Sequence, residues 1–386
     1  MDADVIVIGG SPAGLATARK ASSLGCRVLL LDKKESPGNP PHPANTFFKG
    51  MFDRAEEVVD KSYVLRELRG AKIVAPSGGT VDIISPAYFI DRSAFDRFYA
   101  QKTLDAGVEI LSGVEAYNII RKDGEMSVST SEGVYSSPLV VVSNGIKSNL
   151  AALCGLSPIR YPQDIAWAKE AVIEADGIGE PDMFEYYLGS IAPGWKSTYS
   201  PCGGNRATLG TYVRRHGSDV SAFFDKWVEK FKQLKGISDM EILEPFSTGG
   251  DPIITIPKDI LADGLMLVGG TAGQSGIGYS MHAGNICGRV AADAVKKGDF
   301  SVSRLSDYRK AWNKAYRVEH WLGRIGLEAL RKMDDREIDR VMQVFEGKDM
   351  SFLRGTPFHK SIQISMYMLR HDPLALLNFK ALLRNR

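Results

Sequence analysis

The sequence predicts an α/β protein: a parallel-sheet domain at the N-terminus, an antiparallel-sheet domain inserted into it, and a helical C-terminal region. Three observations carry this. Asp4-Val5-Ile6-Val7-Ile8 is an apolar run of strand length that leads straight into Gly9-Gly10-Ser11-Pro12-Ala13-Gly14 and the helix-forming stretch Leu15–Lys20. A second apolar run, Arg27–Leu31, follows and ends on Asp32. Strand, glycine turn, helix, strand, acid is the Rossmann-like βαβ unit that binds a dinucleotide. The third observation is distant: Gly264-Leu265-Met266-Leu267-Val268-Gly269-Gly270 repeats the pattern of buried strand, glycine turn and helix after some two hundred intervening residues. A chain that returns to its first sheet so late has an insertion in between.

The elements follow in order. Gly9 allows the tight turn and Gly14 lets the helix approach the strand, while the helix N-terminus offers amides to a pyrophosphate. Pro12, Ala13 and Lys33 lie within or beside this unit, and Asp32 stands where a carboxylate accepts ribose hydroxyls. Ser11 replaces the usual second glycine and is small enough for the backbone to approach phosphates. Residues 35–50 are rich in Pro and Asn and read as loop. Residues 53–69 are charged and read as a helix. Residues 71–90 read as short antiparallel strands that contribute to the inserted domain. A helix over 91–106, capped by Asp91 or Ser93, precedes a strand at 107–111. Two strands over 116–135 turn at Lys122-Asp123-Gly124, and a buried strand runs from Leu139 to Ser143. Strand-like segments and one helix near 219–235 fill 160–258, and 303–386 reads as entirely helical. The domain boundaries expected are 1–160 with 259–300 for nucleotide binding, 161–258 for the inserted sheet, and 301–386 for the helical region.

Composition narrows the function. Hydrophobic residues are 44% and charged residues 24%, ordinary for a globular protein, and a net charge of +2 gives no support to a nucleic-acid partner. Cys26, Cys154, Cys202 and Cys287 form no C-x-x-C pair, so the expectation is a reducing, cytoplasmic setting without a zinc site or disulfide framework. The first strand starts at residue 4, so no signal peptide is expected, and no apolar run is long enough to span a membrane.

Four segments in order resemble the FAD-dependent family typified by para-hydroxybenzoate hydroxylase, and within it the geranylgeranyl reductase branch. They are GGSPAG with Asp32; Ile90–Asp96 followed by a helix and Gly107–Ile110; Val140–Gly145 with Ser148, at the place of "ADGxxS"; and LMLVGGTAGQSGIGYSMHAGNICGRVAA, at the place of "GDAAG…GeGI". The resemblance covers about residues 1–300 and implies FAD as cofactor. It implies that Gly9, Ser11, Gly14 and Asp32 hold adenosine and pyrophosphate, that Arg92 lies near the flavin or pyrophosphate, and that Val114 pairs with adenine through its backbone. Asn144, Gly145, Gly269 and Gly270 would line the flavin side. The helix starting after Gly276-Ile277 would direct its dipole at the isoalloxazine. The chain also departs from the family. The acids of its "GD" and "ADG" turns are Gly270 and Asn144 here, the loop from Gly273 to Gly276 is shorter, and a family cysteine in Pro41–Thr46 is Ala44. The Pro201 to Gly210 spacing fits, but the aromatic residues before it are displaced.

For chemistry, His42 and His282 are the histidines in segments near the expected flavin and are candidate proton donors. Tyr199 joins them as a third candidate. Tyr186, Tyr187, Trp195 and Tyr199 are candidates to line an apolar substrate tunnel, or else they fill a sheet core. The expected external reductant is NAD(P)H or ferredoxin, the latter an electron-donor protein. The basic, apolar-interleaved C-terminal segments at 366–370 and 374–384 suit either a membrane surface on its inner face or packing on the protein itself. Three functions remain open: an isoprenoid C=C reductase, an aromatic monooxygenase of the same fold, and a non-catalytic binder of lipid or nucleotide with a degenerate flavin site. A lipid or aromatic small molecule is the expected substrate, and no metal constellation is visible.

Overall fold

The computed structural model describes residues 1–214, 219–348, 350 and 357–371. In chain order the elements begin with β1 (Val5–Ile8), α1 (Pro12–Ser23), β2 (Val28–Asp32), β3 (Thr46–Phe48), α2 (Lys49–Arg54), β4 (Val64–Val74) and β5 (Thr80–Ile90). Next come α3 (Arg92–Asp105), β6 (Glu109–Ser112), β7 (Ala116–Lys122), β8 (Glu125–Thr130), β9 (Gly133–Ser137), β10 (Leu139–Val142) and α4 (Leu150–Leu153). The middle of the chain supplies β11 (Ile165–Glu174), β12 (Met183–Tyr187), β13 (Lys196–Gly203), β14 (Arg206–Val213), α5 (Val220–Lys235) and β15 (Glu241–Pro252). The last are β16 (Leu261–Ala262), β17 (Leu265–Leu267), α6 (Ile277–Lys297), α7 (Val302–Lys332), α8 (Asp335–Gln343) and α9 (Pro357–His371).

Two compact units result. The first comprises residues 1–63, 91–162 and 252–317; the second comprises 64–90, 163–251 and 318–386.

The first unit is built on a six-stranded sheet in the order β16-β17-β10-β1-β2-β6. β10, β1, β2 and β6 pair in parallel, with Val5 opposite both Leu139 and Val28. Every residue of β1 and β10 is buried, which is why these strands read as unbroken apolar runs rather than as alternating ones. α1 and α6 pack against each other at backbone distance. A Cβ on Gly284 would lie 2.4 Å from Ala13 O, and one on Gly288 would lie 2.6 Å from Thr17 O. A separate three-stranded sheet, β7-β8-β9, turns at Asp123 and Gly124, both at positive φ (52° and 86°), as a two-residue hairpin requires.

The second unit carries the antiparallel sheet in the order β15-β11-β14-β13-β12-β4-β5, with one parallel pairing between β12 and β4. α5 covers one face and buries Phe224, Trp227, Val228 and Phe231. The end of β14 and the later part of α7 are tied by a buried ion cluster. Arg214 donates to Asp164 (3.0 Å) and Glu328 (3.1 Å), and Arg324 donates to Asp164 (2.8 Å).

Two expectations need correction. Residues 53–69 are not a helix: α2 closes at Arg54 and β4 starts at Val64. Tyr63 fixes the switch, packed edge-on against Phe95 and Phe98 at 1% exposure. The strand that follows buries Leu68 and Gly70 and exposes Glu67 and Arg69; its outward charges gave the segment a helical look. The tail is helical but interrupted, since α8 restarts at Asp334 with a reciprocal cap between Asp334 and Glu337. The 374–384 segment lies outside the described residues.

Candidate functional site

The glycine turn of the first unit is a cradle that side chains would fill. A Cβ on Gly14 would stand 2.1 Å from Gly9 O and 2.3 Å from Ser143 Oγ, and Gly9 holds φ +103° against Ser143 and Asn144. Gly10 faces Asp32, whose Oδ2 would be 2.4 Å from a Cβ there. Ser11, the departure from the glycine pattern, has a local job. It sits at φ −72°, ψ 163° and its Oγ accepts the Gly14 amide at 3.2 Å, capping α1; Pro12 follows at the first helical position. Ala13 is fully buried beneath Gly269, whose Cβ would lie 2.7 Å from the Ala13 Cβ. Burial pushes the Asp32 carboxyl above its ordinary value, while the Lys34 amide donates to it at 3.3 Å. Lys33 is turned to solvent near Glu115 at 3.7 Å. The Val114 amide is taken by Asp32 O at 3.0 Å, so Val114 has only its carbonyl to offer a ligand.

On the other side of the sheet end, the positions that lost their acids are knitted by Thr271. Gly145 N donates to Thr271 Oγ1 at 2.9 Å, and Thr271 Oγ1 lies 3.5 Å from Asn144 Oδ1. Gly269 N donates to Gln274 Oε1 at 2.8 Å, and Gln274 Nε2 donates to Tyr308 OH at 2.7 Å. A Cβ on Gly270 would be in ordinary contact, 3.6 Å from Gly145 Cα and from Ile146 N. α6 starts at Gly276 (φ +87°) without a side-chain cap, and Ile277 is buried as its first residue. Ser143, Thr271 and Gln274 were missed in the sequence; Ser143 Oγ donates to Gly9 O at 2.7 Å, a role that only the fold reveals.

Arg92 is 8% exposed and engaged, its Nε donating to Asp96 (2.9 Å) and Nη1 to Ala44 O (3.0 Å). It therefore anchors the loop that carries His42. The Ala44 amide donates to His42 Nδ1 at 3.1 Å. Surrounding protein, with Arg92 and Lys34, pushes His42 down to about 3, although much of its side chain faces water. Burial lowers His282 as well, and its Nδ1 lies 2.5 Å from Tyr316 OH. Both imidazoles are neutral at neutral pH, hydrogen-bond partners rather than imidazolium acids.

These residues fit the dinucleotide half of FAD: a backbone cradle closed to any Cβ, a capped helix N-terminus and a carboxylate at the strand end. Comparisons with known proteins agree. The family model described as pyridine nucleotide-disulphide oxidoreductase matches residues 3–158. Digeranylgeranylglycerophospholipid reductase 1 of Methanothermobacter thermautotrophicus is 28% identical over 97% of this chain and 97% of its own. Along its whole length the chain is similar to FAD-dependent oxidoreductases. The solved structure of a geranylgeranyl bacteriochlorophyll reductase-like protein from Thermoplasma acidophilum shares this oxidoreductase's fold, with TM-score 0.85, 23% identity and coverage of 98% and 99%. A halogenase solved in complex with FAD shares it more distantly, at TM-score 0.69, 13% identity and coverage of 99% and 86%. Cys26 and Cys287 are buried, and Cys154 and Cys202 half-buried.

The second unit of the oxidoreductase shows where the displaced aromatics went. Tyr187 and Tyr199 point to the α5 face and are core: the Tyr187 ring packs at a tilt 4.5 Å from Trp227, Tyr199 lies 5.1 Å from Phe231, and the Tyr199 hydroxyl donates to Ile178 O. Tyr199 is 0% exposed. As a tunnel-lining or catalytic group it would need an open face, and it has none. Trp195, just before β13, lies 5.2 Å from the Lys196 ammonium instead of on that core. The alternation of β13 sends Lys196, Thr198 and Ser200 to the face opposite α5, where Tyr186, Gly210, Tyr212 and Glu170 also stand. Glu170 Oε1 accepts from Tyr212 OH at 2.6 Å, and Lys196 Nζ sits 3.7 Å over the Tyr186 ring. Gly210 makes room, since a Cβ there would be 2.7 Å from Thr198 Oγ1 and 2.8 Å from Glu170 Oε1. Lys196 and Glu170 were missed; two charges at same-face positions of the strands that flank β14 were the available signal.

Proposed function

We propose that this oxidoreductase reduces carbon–carbon double bonds in the isoprenoid chains of a glycerophospholipid. The observation that supports this best is the end-to-end match, 97% of each chain, to a reductase named for such a lipid. In this reading Gly9, Gly10, Ser11 and Gly14 receive the pyrophosphate and Asp32 the ribose, and Gly269, Gly270 and the start of α6 receive the flavin end. Bound FAD, once reduced, supplies the hydride. The protein's part is to hold the lipid and to admit a proton for the second alkene carbon, with His282 and Tyr316 as a candidate hydrogen-bonded relay. The electron source in this reading is NAD(P)H or a ferredoxin-type protein.

We place the enzyme in the cytoplasm, against the inner face of the membrane that carries its substrate. Ile362, Met366 and Leu369 are exposed on α9 at helical spacing, beside Arg370. Among the described residues no helix is long and apolar enough to cross a membrane. The test is a single turnover without oxygen. Reduced holoenzyme is mixed with vesicles of a geranylgeranyl glycerophospholipid, and the expected result is return of the oxidised flavin spectrum with one double bond saturated, a gain of one dihydrogen, per flavin oxidised. Flavin that stays reduced with every prenyl lipid, together with NAD(P)H and oxygen consumption stimulated by an aromatic acid, would replace this reading with the monooxygenase one.

A further inference from the structure

Lys196 is an unusual residue for the middle of a sheet. Its ammonium is half-buried inside three aromatic rings, 3.7 Å from the centre of Tyr186, 5.2 Å from Trp195 and 5.6 Å from Tyr212. Among the described residues it has no hydrogen-bond acceptor. The Tyr186 hydroxyl has none either. A cation held in a fixed box with its N–H groups unspent is prepared for an oxygen ligand. Around it stand hydroxyl and carboxyl groups. The Tyr212–Glu170 pair is held at 2.6 Å, and the Thr198 hydroxyl is pressed close by the absence of a side chain at Gly210.

We infer that this face of the second unit is a subsite for a phosphate oxygen anion, anchored by Lys196 and flanked by Glu170, Tyr212 and Thr198. The inference rests on the reading of the substrate as a glycerophospholipid and names the part of the lipid bound here: its phosphate rather than its chains. No apolar residue occupies the position where the Lys196 ammonium stands, and an isoprenoid chain would leave that cation without a counter-ligand.

The charges facing the site decide its pH response. Asp251 and Glu170 act on Lys196 and tend to raise it, but burial wins and brings it down to about 8. Burial raises Glu170 to about 7, against the Tyr212 hydrogen bond and Lys196, with Asp251 adding to the rise. Below about 7 the carboxyl is therefore a neutral donor and the lysine a cation, and both favour an anion. Above about 8 the lysine is losing its proton and the carboxylate repels. Affinity for a phosphodiester, whose own charge is constant, must fall as pH rises through this window. Inorganic phosphate, by contrast, itself gains negative charge near neutral pH.

The experiment is a binding titration on the FAD-loaded full chain, with flavin kept oxidised so that no turnover enters. Probes are monomeric dihexanoyl phosphatidylglycerol, dihexanoylglycerol and inorganic phosphate, at about pH 6 and about pH 9. We expect the phosphodiester to bind more tightly than the neutral glyceride. We expect Lys196→Gln to lose on the order of tenfold with an unchanged flavin spectrum, and Lys196→Arg to recover part of the loss. Wild-type binding should weaken by on the order of tenfold from the lower pH to the higher, with Glu170→Gln showing a smaller change. Equal binding by wild type and Lys196→Gln, or affinity independent of pH, would overturn the subsite. Preference for inorganic phosphate over the diester would assign the anchor to free phosphate and overturn the lipid headgroup as its source. If reduction of prenyl lipids fails while this binding holds, the proposed reaction falls and the subsite stands.

Discussion

The two units use glycine and aromatic residues in opposite ways. In the first unit function follows from what is missing: Gly9, Gly10 and Gly14 form a cradle because no Cβ fits there. In the second, the proposed subsite depends on which way each residue points, and a shift of one position along β13 exchanges a tyrosine for a lysine on the face opposite α5. Backbone sites of the first kind leave a fixed spacing in sequence. Side-chain sites on a sheet leave only a parity, and parity reverses with a single displaced residue.

The sharpest way to break the comparison is at Gly14. In Gly14→Val the new side chain would meet Gly9 O and Ser143 Oγ far inside contact distance, and backbone cannot move aside cheaply. We expect purified Gly14→Val to contain no FAD and to take none up, measured by absorbance of cofactor released on heating. A variant that still holds FAD one per chain would mean the cradle does not close as described.

The opposite result is expected at Trp227 and Tyr199. Trp227→Ala removes a fully buried ring that packs on Tyr187 and Phe231, and should cost about 3–5 kcal/mol in denaturant unfolding. Tyr199→Phe removes only the hydrogen bond to Ile178 O and should cost about 1 kcal/mol. Both should keep their flavin content and, for Tyr199→Phe, the rate of flavin oxidation by substrate. A large loss of turnover in Tyr199→Phe at normal stability would return Tyr199 to the site.

The contrast explains what the sequence could and could not tell. The parallel sheet, the glycine turn, Asp32, the late return at Leu265–Leu267 and α6 are all local patterns, and a strand buried on both faces announces itself by composition alone. Charged β4 did not, because its outward Glu67 and Arg69 mask a period of two. Ser143, Thr271 and Gln274 stabilise the cradle through contacts across more than a hundred residues or between side chain and backbone, and nothing at their positions marks them. The aromatics before Pro201 could be counted but not assigned to a face; that needed the register of β13 against β12 and β14.

Glu170 offers a pH test of the face opposite α5. Its carboxyl is raised in the folded protein from 4.5 to about 7, so the folded state binds the extra proton across that interval. The sign follows: the favourable contribution is complete below about 4.5 and is lost as pH rises through about 7. Relative to Glu170→Gln, which cannot ionise, wild type should lose stability between those values, by up to about 2 kcal/mol once partial solvent access is allowed for. The measurement is the difference in denaturation midpoints of the two proteins across pH. Parallel curves would show that Glu170 ionises freely and that the face is wetter than its neighbours imply.

The smallest effect expected separates two jobs of one residue. Ser11 stands where the pattern has glycine, and its Oγ caps α1 through the Gly14 amide. If capping is its whole contribution, Ser11→Ala should cost about 1 kcal/mol of stability and Ser11→Gly only a few tenths, because glycine is itself a tolerable cap. FAD affinity should then change little in Ser11→Gly, since that variant restores the ordinary glycine turn. A loss of FAD affinity in Ser11→Gly as large as in Ser11→Ala would instead show the hydroxyl acting on the cofactor itself. In that case even the backbone cradle of the first unit would depend on a side chain.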